Sequence, residues 1–253
     1  MQLTYDQHTY NLSQPIDLAI PLEASGNNPV AWYLEAPVIE PVRFGDWVGK
    51  VSEGSSTNFN NIQFNPHGHG THTECLGHIT RDFYSVHKAL NRFFFSAYLI
   101  SVTPTRVGDD AIILWEQLAE QLESNPSEAV VIRTLPNVIS KKSQQYSHTN
   151  PPYLEAKAAG EMARLGVQHL LIDLPSVDRE EDGGALAAHK AFWNVQDIHQ
   201  LNADARHQAT ITELIYVPDE VKDGRYLLNL QVAAFVNDAA PSRPVLYGLI
   251  EEK

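Results

Sequence analysis

Four of the chain's eleven histidines, His67, His69, His72 and His78, fall within twelve consecutive residues, and Glu74 stands among them. The segment from Asn65 to His78 reads NPHGHGTHTECLGH. Imidazole nitrogens and a carboxylate are the donors that a borderline divalent cation such as zinc or manganese takes, and a catalytic site uses about three of them with one position left for water. A cation so held brings the pKa of its water down to about 7 and polarises a carbonyl oxygen, which is the chemistry of hydrolysis. If the chain continues as a strand after a bend at Gly70, His72 and Glu74 are two residues apart and leave the same face. His67 or His69 then reaches the same ion from the preceding turn. Cys75 points off that face and reads as a packing residue, with soft metal ligation as its alternative role. His78, beyond Gly77, reads as the acid/base that takes a proton from water and hands it to a leaving nitrogen, with metal ligation as its alternative role.

Those side chains need a scaffold, and 253 residues with 43% hydrophobic content are enough for one large α/β domain. Asp+Glu 31 against Lys+Arg 18 give a net charge of −13. That field repels polyphosphate and anionic lipid, so the expected partner is a small molecule, not nucleic acid or membrane. One cysteine forms no intrachain disulfide, and Met1 to Tyr10 lack the basic and apolar regions of a signal peptide. A cytoplasmic protein is expected. No apolar run approaches the roughly 20 residues of a membrane-spanning helix. Glycine-rich phosphate loops, G-x-S-x-G elbows and C-x-x-C pairs are missing, which removes three common function classes.

Prolines and glycines are scattered and no linker interrupts the chain, so residues 1–253 read as a single domain. Strands are expected at 16–20, 42–51, 62–64, 98–102, 130–133, 170–173, 210–217, 226–235 and 245–250. Helices are expected at 111–122, at 153–165 with Gly166 as its stop, and at 195–201. The pattern predicts an α/β fold with a mixed sheet and flanking helices. Asp173 and Asp178 flank Leu174-Pro-Ser176 at a strand's C-terminal end, where Asp173 either orients a ligating histidine or serves as an ordinary loop cap. The acidic run from Asp178 to Asp182 reads as a solvated loop.

The stretch GTHTECLGH from Gly70 to His78 resembles the motif H-x-G-T-H-x-D-x-P-x-H of the cyclase family of metal-dependent hydrolases, which includes bacterial kynurenine formamidase and isatin hydrolase. IDLPSVD from Ile172 to Asp178, AHK around His189, ITELI around Glu213 and DLAIPL from Asp17 to Leu22 resemble further family segments. The resemblance implies a swivelling β/β/α fold, a divalent metal as one or two ions, and the ligands His72, Glu74 shared between metals, His189 and Glu213. It places His78 at the acid/base position. The family's first histidine falls on Gly68, so His67 or His69 stands in, and His67 is favoured because it keeps the family's Pro-His pair. Glu74 replaces an aspartate and Leu76 a proline. Trp32 resembles a tryptophan that lines the substrate pocket, which Tyr146, His148 and Tyr153 are placed to cover. The implied activity is hydrolysis of a small cyclic or aromatic amide, arylformamidase-like or lactam hydrolase-like, by a metal-activated water. The alternatives are a lactone hydrolase or polyketide-type cyclase at the same site, and a non-catalytic metal- or ligand-binding scaffold. A homodimer or homotetramer is implied as well.

Overall fold

The computed structural model describes residues 1–250. The chain opens with a hairpin of β1 (Gln2–Tyr5) and β2 (His8–Asp17) and then builds an arm from β3 (Val38–Pro41), β4 (Arg43–Phe44), β5 (Trp47–Val48) and β6 (Asn60–Gln63). It returns through the histidine-rich turn into β7 (His72–Cys75), a short α1 (Val86–Ala89) and the long β8 (Phe94–Val102). Next come β9 (Thr105–Val107), β10 (Asp110–Ile113), α2 (Ala119–Ser124), β11 (Ala129–Thr134), β12 (Tyr153–Leu154), α3 (Ala156–Arg164), β13 (His169–Ile172) and α4 (Ala187–Trp193). The chain finishes with β14 (Thr210–Glu213), β15 (Gly224–Asn229), β16 (Ala239–Pro241) and β17 (Val245–Leu249).

Ten strands form one mixed sheet in the order β1-β2-β17-β15-β8-β11-β13-β14-β7-β16. Its centre, β8-β11-β13-β14, is parallel, and antiparallel strands extend it on both sides. Parallel strands are covered on both faces, which is why β11 and β13 are buried at every residue. The period of two assigns the faces. Ile100, Val130, Ile132, Leu170, Ile172 and Ile211 pack under α3 and α4, which contribute Met162, Phe192 and Trp193. Leu99, Val131 and Leu171 point to the other face, where Leu18, Leu90, Ile215 and Val217 close over them. The expected α/β fold with a mixed sheet is the fold found.

Two expected helices are not formed. Residues 111–122 divide into β10, a 3-10 turn at Trp115–Gln117 and α2. Gly108, at φ 63, makes the tight turn that folds β10 back on β9, and the consecutive apolar residues 111–113 suit a strand. The helix expected at 195–201 lies earlier, at α4, where an alanine-rich run starts under a carboxylate from ten residues upstream and stops at Asn194 in the left-handed region, φ 52. The run at 42–51 is a tight hairpin about Gly45 (φ 56), not one strand. The second expected helix is β12 followed by α3 and does stop at Gly166, φ 87. Among the described residues no helix is long and apolar enough to cross a membrane.

Candidate metal centre

β7 and β14 pair antiparallel with Glu213 opposite His72 and Ile211 opposite Glu74. Residues directly opposite share a face, so the register brings His72, Glu74 and Glu213 together. His72 Nε2 lies 3.3 Å from Glu213 Oε2. The third segment is α4, which places His189 Nε2 3.0 Å from Glu74 Oε1 and 3.9 Å from Glu213 Oε1. His67, on the turn before β7, puts Nδ1 3.0 Å from Glu74 Oε2. His78 follows with Nε2 3.8 Å from the same oxygen. Gly77 permits this, since a Cβ there would run into the backbone carbonyl of Tyr84. The expected set His67, His72, Glu74, His189 and Glu213 thus converges, with His78 alongside.

The histidines are oriented from behind. His189 Nδ1 is 2.6 Å from Asp178 Oδ2, and the same carboxylate accepts the backbone N–H groups of Ala188 (2.7 Å) and His189 (3.2 Å), capping the start of α4. His72 Nδ1 contacts the carbonyl of Gly70 at 3.0 Å. His67 Nε2 contacts Asp238 Oδ2 at 2.9 Å. Each ring therefore has one nitrogen anchored and the other aimed at a carboxylate in the centre.

Burial opposes the charged form of His67, but the carboxylates of Asp238 and Glu74 on either side of the ring outweigh it and push its pKa up to about 10. His189 is likewise pushed up to about 10, burial being overcome by Asp178 and Glu74. Burial alone would raise Glu74, yet the facing His78, His189 and His67 hold it well below the usual carboxylate range. The same balance, with His189 and two backbone N–H groups against burial, lowers Asp178. This much buried negative charge calls for compensating positive charge, from protons or from a cation. His72 Nε2 and Glu74 Oε2 are buried with no hydrogen-bond partner, Oε2 lying near His67 but out of line with it. Such orphaned donor atoms are what a metal satisfies. Two donor groups overlap at Glu74, His72–Glu74–Glu213 and His67–Glu74–His78, each with its ligand atoms within 4.8 Å. The residues fit one or two divalent ions.

Beside the cluster is a cavity of ≈ 350 Å³ lined by Trp32, Leu34, His67, His78, Arg179 and His189 among others. Trp32 lines this cavity from a left-handed backbone conformation (φ 60). None of the three residues expected to cover the pocket lines this cavity: Tyr146 packs against Trp32, His148 lies against Tyr33 at 4.6 Å, and Tyr153 is tied to Asp110 at 3.1 Å. His69 is outside the cluster, because Nδ1 accepts the N–H of Asn65 (2.9 Å) and Nε2 reaches the carbonyl of Glu35 (2.8 Å). The turn therefore presents His67. Cys75 packs against Val86, Ala89 and Ala240 as expected, and burial pushes its thiol up to about 12.

Of the two roles open to Asp173, the structure assigns the loop cap: it orients no histidine but accepts from the backbone N–H and hydroxyl of Thr134 and from Lys141 Nζ at 2.8 Å, bracing the turn after β11. Asp178 orients His189 instead, since it lies five residues further on, beneath the start of α4. The run from Asp178 to Asp182 is accordingly not a free loop: Asp178 is buried, Glu180 accepts the backbone N–H of His148 (2.6 Å) and Asn150 (2.9 Å), and Arg179 is held by Asp110 at 3.0 Å. Asp238 carries no signal in the sequence. It lies in a short polar stretch without a metal-ligand pattern, and only the pairing of β16 with β7 brings it to the site.

No curated protein matches the chain. Solved structures share its fold. One described as a "Potential Metal-Dependent Hydrolase With Cyclase Activity" superimposes with TM-score 0.65 at 18% identity, covering 92% of this chain and 97% of that one. An isatin hydrolase bound to the product analogue thioisatinate gives TM-score 0.67 at 14% identity, with 94% and 93% covered. Isatin hydrolase A from Labrenzia aggregata, bound to benzyl benzoate, gives 0.66 at 14%, with 92% and 93% covered. The family model described as "Putative cyclase" matches residues 10–179, about two thirds of the sequence, and the chain belongs to this cyclase family.

Proposed function

We propose that this protein is a metal-dependent hydrolase of a small cyclic or aromatic amide. The observation that carries the reading is the convergence of His67, His72, Glu74, His189 and Glu213 from three separated segments around two buried, partnerless donor atoms. Zinc is the favoured ion and manganese the second choice. A divalent cation in this donor set acidifies water and polarises a carbonyl. His78 is more open to the cavity than the other clustered rings, with 31% of its side chain exposed against 18% for His67. It is placed to take a proton as the new C–O bond forms and return it to the nitrogen as the C–N bond breaks. Trp32 and Leu34 supply an apolar wall for a planar substrate. A volume near the lower end of the usual range for ligand pockets suits a substrate of one or two rings. The likeness to isatin hydrolases supports a lactam over a peptide.

The test is turnover of aryl formamides, isatin-like lactams and aryl lactones by protein of measured metal content. Amide hydrolysis that chelation abolishes and zinc or manganese restores is expected. Lactone turnover alone moves the reading to a lactonase, and metal binding without turnover of any of them moves it to a scaffold. We also propose a homodimer or homotetramer. The arm supports it by exposing Phe44, Trp47, Phe59 and Ile62, more apolar surface than an isolated two-stranded ribbon keeps in water.

A further inference from the structure

Asp238 stands just before β16, beyond the residues that the family model matches. Its Oδ2 lies 2.9 Å from His67 Nε2 and 3.4 Å from His78 Nδ1. The opposite nitrogens of both rings face Glu74 Oε2, at 3.0 Å for His67 and 3.8 Å for His78. The two rings stack with centroids 4.3 Å apart and planes at 30°, so that one oxygen reaches both. We propose that Asp238 is a positioning residue serving the ligand His67 and the acid/base His78 together. It takes the Nε2–H of His67, which leaves Nδ1 as the donor toward the metal. It takes the Nδ1–H of His78, which leaves Nε2 to move the proton. This rests on the metal-dependent hydrolase reading above.

The backbone explains why a residue so distant in sequence can serve this purpose. The carbonyl of Asp238 accepts the N–H of Cys75 at 3.0 Å, Asn237 accepts that of Val86 at 2.9 Å, and Ala239 pairs opposite Glu74. The carboxylate is thus carried by the sheet edge that also carries Glu74, which holds it in place. The turn explains why it is needed. Four residues before His72 stands Gly68, where a Cβ would come within 2.5 Å of Leu34 Cδ1 and 3.1 Å of the Ala31 carbonyl. The donor comes from His67 instead, one residue earlier, and it presents Nδ1, whereas His72 and His189 present Nε2. An Nδ1 donor sends its Nε2 away from the centre, and Asp238 meets it there. The displaced histidine and the C-terminal carboxylate work as a pair.

The test is a double-mutant cycle on zinc affinity, read against a chromophoric chelator, together with kinetics at saturating zinc. Asp238→Asn keeps the shape and removes the charge. It is expected to weaken zinc binding by roughly 10–100-fold, the usual effect of losing a residue that orients a ligand. In the His67→Ala background the same change should alter zinc affinity by less than about twofold, because the ring it orients is gone. At saturating zinc, kcat of Asp238→Asn should stay at least about tenfold low with KM within about twofold, since Asp238 does not line the cavity and acts through His78. Unchanged zinc affinity in Asp238→Asn, or an equal loss with and without His67, would overturn the proposal. Parent protein that binds zinc yet hydrolyses no amide sinks the hydrolase reading, while the affinity cycle still decides the link between Asp238 and His67.

Discussion

Replacing Asp178 with alanine removes three hydrogen bonds at once, to His189 Nδ1 at 2.6 Å and to the backbone N–H groups of Ala188 and His189 at 2.7 and 3.2 Å. The bond to the imidazole is charge-assisted and buried, which makes it worth about 1.5–3 kcal/mol. The backbone contacts cap α4, and losing such a cap costs about 1 kcal/mol. Asp178→Ala should therefore destabilise the metal-free protein by about 2.5–4 kcal/mol, most of it from leaving His189 Nδ1 buried without an acceptor. Asp178→Asn retains an acceptor for the cap and loses the charge, so about half that loss is expected. Urea unfolding of chelator-treated protein measures both, and zinc titration of the same samples should show affinity weakened by roughly 10–100-fold in the alanine variant. A loss below about 1 kcal/mol with unchanged zinc affinity would show that α4 and His189 hold their places without Asp178, and the account of how the helix delivers its ligand would fall.

Three further outcomes are expected. His78→Gln should keep its full metal content and lose roughly 10²–10⁴-fold in kcat; metal lost along with activity would make His78 a ligand. Chelator-treated protein should lose stability between about pH 6.5 and 10, because the pKa values of His67 and His189 rise on folding from 6.5 to about 10, so the stability they contribute is complete below the lower value and gone above the upper. Zinc should flatten that slope, since it displaces the protons concerned; a slope that persists at saturating zinc would contradict the shared site. In sedimentation the protein should run as a dimer or tetramer, and Trp47→Glu on the exposed arm should shift it toward monomer; a parent that is already monomeric at micromolar concentration would refute the assembly.

Much of the site was readable from local sequence, because local rules govern it. His72 and Glu74 share a face through the two-residue repeat of a strand, and the glycine-rich turn before them presents a histidine to that face. The buried parallel strands β11 and β13 carry the unbroken apolar runs 129–132 and 170–172, as strands covered on both faces do. Other features depended on tertiary contacts. The segment 111–122 keeps its apolar residues in the core, but pairing with β9 decided that its start is a strand. The start of α4 is capped by a residue outside the helix, which no local capping pattern reveals. Between His67 and His69 composition does not choose; the hydrogen bonds of His69 to Asn65 and Glu35 turn it away from the centre. Between Asp173 and Asp178 the choice falls to the approach of Lys141 and Thr134 to one and of α4 to the other. Asp238 arrives by strand pairing alone. Residue type and spacing along one strand thus set what chemistry the cluster can perform, whereas strand register and helix docking, which depend on the packing of the whole sheet, decide which distant carboxylates complete and orient it.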